Sequence, residues 1–115
     1  MDKIKTYQNI IIRLLEEYAG IPPSYLTSLR DELIVNTQYN HFQLITVGWK
    51  GNQFVYGAIF HLEIIDGKIW IQQNKNNSEA KLTDEFLERG VPKSDIVLDF
   101  QHPSVRVHSG FAVAW

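Results

Sequence analysis

Apolar and polar positions recur with different periods along the chain, and each change of period marks an element. Between Asp2 and Ala19, the residues Ile4, Tyr7, Ile11, Leu14 and Tyr18 lie three and four apart, the spacing of one face of a helix. Ile10 and Leu15 widen that stripe, as a helix lying on a globular core requires. Gly20 is placed to cap this helix, and Pro22-Pro23 to stop it. The stripe ends after about two and a half heptads, too soon for a coiled coil.

The period then falls to two. From Asp31 to Tyr39, Leu33, Val35 and Thr37 lie on one side and Ile34 and Asn36 on the other, which predicts a strand ending at a turn on Asn40. Phe42 to Trp49, rich in aromatic and β-branched residues, predicts a second strand. Lys50-Gly51-Asn52 marks a reverse turn, and a third strand runs from Gln53 to Ile65, with Gly57 a site for a bulge. Asp66-Gly67 between two apolar runs predicts a type I′ hairpin turn. A two-residue loop there sets Ile65 opposite Lys68, Ile64 opposite Ile69, Glu63 opposite Trp70, Leu62 opposite Ile71 and His61 opposite Gln72. Alternation puts Phe54, Tyr56, Ala58, Phe60, Leu62 and Ile64 on the core face with Ile69 and Ile71, unless a bulge at Gly57 displaces the earlier ones. The other face carries His61, Glu63, Ile65, Lys68, Trp70 and Gln72: polar groups around one large aromatic.

Asn74 to Ser78 reads as a loop, with Asn77 or Ser78 capping a helix that runs to Arg89 on Leu82, Phe86 and Leu87. Gly90 suits a left-handed cap with Val91 packing back on Phe86, and Pro92 opens a short turn over Lys93 to Asp95. Ile96 to Phe100 is extended or loosely helical. Val105 to Ala114 is a last strand candidate; from Phe111 to the end, Phe111, Val113 and Trp115 alternate with Ala112 and Ala114, so this end is expected to be ordered, adding to the sheet or sealing a helix–sheet gap. The expected fold is α+β: an antiparallel sheet of four to five strands, an N-terminal helix, and a second helix after the Asp-Gly hairpin, in a single domain over 1–115.

Composition narrows the function. Apolar residues are 44% and charged residues 21%, against disorder. Eleven basic against thirteen acidic residues give a net charge of -2, which argues against a dedicated nucleic-acid binder and predicts no strong direct binding to DNA. Without cysteine there is no disulfide, thiolate or iron–sulfur chemistry. The opening MDKIKTYQN lacks the apolar core of a secretory signal, and the longest apolar run, Phe54 to Leu62, is too short for a membrane-spanning helix, so a cytoplasmic address and no membrane partner are expected.

Candidate chemistry is sparse. His41, His61, His102 and His108 form no HExxH, and His102 with His108 reads more simply as two surface histidines than as a metal pair. Asp66 with Glu79-Ala80-Lys81 resembles the acidic-plus-ExK pattern of metal-dependent nucleases, but that chemistry needs its Glu and Lys on one strand, and here they open a helix. Ser78 to Lys81 matches SxxK without its companion elements. No nucleophile elbow, phosphate loop or dinucleotide fingerprint occurs. No catalytic, cofactor-binding or metal-binding residues, and no cofactor, are therefore expected.

The segment HFQLITVGWKGNQFVYGAIFHLEIIDGKIWIQQN, then LTDEFLERGVPKSDIVLDF and the closing FAVAW, together with IIIRLLEEYA in the opening helix, resembles the XisI family of fdxN-element excision controlling factors of cyanobacteria. The resemblance covers nearly the whole chain. It implies a non-catalytic accessory role in the control of site-specific DNA excision during heterocyst differentiation, beside an XisH-like partner. It carries over no catalytic residue. An unrecognised metal-dependent nuclease or other enzyme is the alternative. The polar face of the hairpin supplies the expected partner contacts, His61, Glu63, Trp70 and Gln72, with an XisH-like protein or a second copy of the chain as occupant, unless a helix or the tail of the same chain covers Trp70.

Overall fold

The computed structural model describes residues 2–19, 28–74 and 79–113. The N-terminal helix, α1 (Lys3–Ala19), begins where the Asp2 carboxylate accepts from the Ile4 backbone N–H at 3.0 Å. It buries Tyr7, Ile11, Leu14 and Leu15 of the predicted stripe, and Ile4, Ile10 and Tyr18 pack partly buried against the same core. The expected Gly20 cap and the Pro22-Pro23 stop lie outside the described residues. Five strands follow: β1 (Arg30–Asn36), β2 (His41–Lys50), β3 (Gln53–Ile65), β4 (Lys68–Asn74) and, after helix α2 (Glu79–Glu88), β5 (Ile96–Leu98). They lie in one sheet in chain order. The first three pairings are antiparallel, whereas β5 runs parallel to β4 after the α2 crossover. A short helix, α3 (Pro103–Arg106), follows β5.

The turns follow local chemistry. Asp66 and Gly67 have φ of 53° and 74°, the paired positive values of a type I′ turn. α2 ends as its sequence predicts: Gly90 has φ of 94°, the Val91 N–H donates to Phe86 O at 3.0 Å, and the Gly90 N–H donates to Leu87 O at 3.1 Å. Pro92 leads into a 3-10 turn over Lys93–Asp95. The expected caps at Asn77 or Ser78 lie outside the described residues.

Both α1 and α2 pack on one face of the sheet, where Phe42, Leu44, Phe60, Leu62, Ile64, Ile69 and Ile71 meet Ile11, Leu15, Leu82 and Phe86. Two bulges decide what faces away from them. The β2–β3 register passes from Leu44↔Phe60 to Ile45↔Ala58, leaving Ile59 as an extra residue. Upstream of it, Ala58, Tyr56 and Phe54 pair with Ile45, Val47 and Trp49 and so stand on the face away from α1. The bulge thus falls at Ile59 rather than Gly57, and Phe54 and Tyr56 are exposed, not core. The second bulge, between His61/Leu62 on β3, leaves Gln72 extra on β4: Glu63↔Trp70 and Leu62↔Ile71 pair as expected, but His61 pairs with Gln73 instead of Gln72.

The expected last strand at Val105–Ala114 does not form among the described residues. His102 caps α3 by accepting from the Ser104 N–H, Pro103 occupies its first turn, and Gly110, with φ of 84°, reverses the chain. Phe111 still packs against the core, and the Ala112 N–H donates to Ile96 O at 2.9 Å. Arg106 Nε donates to Leu98 O at 3.2 Å. The first bond takes up a β5 carbonyl that would otherwise remain on a bare sheet edge, and the second adds to the bond that Leu98 O accepts from the Gln101 N–H at 3.1 Å.

Candidate functional site

The face away from the helices is built around Glu63. Its Cα partners are His41 on β2 and Trp70 on β4. His41 Nδ1 lies 2.7 Å from Glu63 Oε1, and Gln72 Nε2 donates to Glu63 Oε2. Two residues back on β3, and therefore on the same face, His61 presents Nδ1 to Gln43 Nε2 at 3.3 Å. Its Nε2 is buried with no hydrogen-bond partner. The Glu63 side chain is 15% exposed and that of His41 51%, so the cluster opens to solvent on the β2 side.

The four residues singled out in the sequence do converge, but not in equal standing. His61, Glu63 and Gln72 are partly accessible. Trp70 is 1% exposed: its indole N–H donates to Ile65 O at 3.3 Å and the Arg106 guanidinium lies 5.8 Å from its ring centroid. The chain's own C-terminal segment covers it, so Trp70 is not an accessible anchor. Arg106 is itself buried, bonded to the carbonyls of Leu98, Gln101 and Val113 and to the Asp99 carboxylate at 3.2 Å.

Sequence reasoning missed His41, Gln43 and Arg106. The two-residue turn at Gly51-Asn52 would place His41 opposite Leu62, and only the bulge at Ile59 brings it opposite Glu63. Arg106 carries no signal, since nothing in PSVR marks a buried cation. His102 is committed to capping α3, and His108 is exposed. Asp66 sits in the hairpin turn and Glu79-Ala80-Lys81 opens α2, elements unlike the single strand that the nuclease arrangement needs.

A second feature is an aromatic patch at the far end of the β2–β3 hairpin. Trp49, Phe54 and Tyr56 are 52%, 54% and 67% exposed, and the rings of Trp49 and Phe54 meet edge-on with centroids 5.2 Å apart. All three stand on the same face as the Glu63 cluster.

The model of the XisI protein family matches residues 1–113. The chain belongs to the XisI family. Its fold is similar to the crystal structure of the fdxN element excision controlling factor XisI from Anabaena variabilis ATCC 29413, with a TM-score of 0.83 and 34% identity over 98% of this chain and 100% of that one. It is similar also to an XisI-like protein from the same organism, with a TM-score of 0.86 and 37% identity over 96% and 99%. No curated protein matches the chain. Among the described residues no helix is long and apolar enough to cross a membrane.

Proposed function

We propose that this XisI-family chain is a non-catalytic accessory factor that acts in the cytoplasm by binding an XisH-like protein and so controls excision of a DNA element. The observation that carries the reading is the exposed Trp49, Phe54 and Tyr56 patch on a chain that matches the family over residues 1–113. Aromatic side chains supply large contact area at low entropic cost and dominate the energetics of protein interfaces, whereas a net charge of -2 gives little attraction to phosphate. His61, Glu63 and Gln72, on the same face, would form the polar rim of that contact, beside Trp70 under the C-terminal segment.

The test is co-purification with an XisH-like protein. A complex is expected, and Tyr56→Ser with Trp49→Ser should weaken it by at least about tenfold while leaving the far-UV spectrum unchanged. Failure to form any complex, or divalent-metal-dependent cleavage of DNA by the isolated chain, would overturn the proposal and favour an enzyme.

A further inference from the structure

We propose that His41, His61 and Glu63 form a binding site for a divalent transition-metal ion of the zinc class. One ring nitrogen of each histidine and one carboxylate oxygen of Glu63 lie within 4.8 Å of one another, from two adjacent strands. Among the described residues this is the only such grouping of three potential ligands.

Three further features fit. First, His61 has one nitrogen on Gln43 and the other buried without a partner, and a buried orphan in a native fold calls for an occupant. Turning the Gln43 amide so that its oxygen accepts from the ring frees a lone pair on the second nitrogen. That is how an outer hydrogen bond usually fixes a ligating imidazole. Second, Gln72 holds the other carboxylate oxygen of Glu63, leaving the oxygen next to His41 as the ligand. Third, two imidazoles with one carboxylate match zinc and its neighbours, whereas calcium and magnesium take sets dominated by oxygen.

Ligands about 2.1 Å from a tetrahedral zinc sit roughly 3.4 Å apart, between the 2.7 Å of the His41–Glu63 pair and the 4.8 Å within which all three donors lie, so an ion needs that pair to open and the set to tighten around it. His41 can make that adjustment. Its side chain is 51% exposed, and its present partner is Glu63 itself, so an ion inserted between them replaces one charge-assisted contact with two ligand bonds. The solvent side of His41 leaves a position open for water.

The experiment uses untagged full-length protein, stripped with a chelator and titrated with zinc by calorimetry and with cobalt by visible absorption. One equivalent should bind, with cobalt developing the d–d bands of a low-coordinate nitrogen and oxygen site and zinc raising the melting temperature. His41→Ala, on the exposed side, should weaken binding by about tenfold or more without altering the metal-free melting temperature; His61→Asn and Glu63→Gln should do the same or worse. His102→Ala should bind like the parent. Absence of binding, and of any rise in melting temperature, at about 100 μM metal would overturn the proposal. So would affinity that survives loss of His41 and follows His102 instead.

Discussion

Gly48 lies inside β2 with φ of 141°, and a Cβ built there would stand 2.2 Å from Ser28 O. The close approach exists because Ser28 extends the sheet beside β2: its N–H donates to Trp49 O at 3.1 Å, and its hydroxyl accepts from the Trp49 N–H at 3.2 Å. Gly48→Ala would meet both a backbone clash and a strained φ, so it should destabilise the fold by about 2–4 kcal/mol, read as a lower urea midpoint with unchanged slope. Arg106 is the second residue on which much depends. Arg106→Met keeps the apolar stem but removes the donors to the Asp99 carboxylate and to the carbonyls of Gln101 and Val113, and should cost about 3 kcal/mol. Because the guanidinium lies over Trp70, the same variant should alter the near-ultraviolet circular dichroism of the native state.

At the scale of elements, α1 is tied to the turn before β5 by polar contacts as well as by its apolar stripe. The Tyr7 hydroxyl donates to Asp95 Oδ2 at 2.5 Å, and Lys3 Nζ lies 2.9 Å from the same oxygen. Burial pushes the Tyr7 phenol up to about 12, helped by the Asp95 hydrogen bond and charge. Burial also pushes the Asp95 carboxyl up, but the hydrogen bonds from Tyr7 and Lys3 and the charges of Lys3 and Lys68 outweigh it and hold the group below its usual value. The signs follow. Stability from Asp95 is complete above the ordinary carboxylate range and is lost as pH falls through the lowered folded value. Stability linked to Tyr7 is complete below the ordinary 10.0 and is lost as pH climbs from there toward about 12. Tyr7→Phe should therefore lower stability near neutrality by about 1–2 kcal/mol. Denaturant melts across pH should also show a shallower acid limb and the loss of the Tyr7 contribution to the alkaline one.

For the whole molecule, the distribution of charge bears on function more than any single contact. Of the eleven basic residues, Arg106 is buried against Asp99, and Arg89 is held in ion pairs with Glu17 and Glu85. What remains is an acidic domain with an aromatic patch. The isolated chain should bind duplex DNA no tighter than about micromolar at roughly 150 mM salt, as measured by fluorescence anisotropy. Tighter binding would mean that the protein contacts DNA itself rather than through a partner.

Patterns that repeat over a few residues were legible in the chain alone. The three-four stripe of α1, the paired positive φ values at Asp66-Gly67 and the Gly90-Val91 ending of α2 depend on neighbours in sequence, and the register from Leu62 to Ile65 against Lys68 to Ile71 follows from the turn between them. The family, too, was legible, because its motifs are carried by those same segments. The tertiary structure decided what a single extra residue can reverse. Ile59 and Gln72 each interrupt a ladder whose alternation otherwise looks continuous, and a slip of one residue exchanges the faces of everything beyond it. That slip sends Phe54 and Tyr56 to solvent and sets His41 against Glu63. The parallel addition of β5, and the turn of the C-terminal segment that buries Arg106 over Trp70, follow from a bare edge that only exists once the sheet has formed.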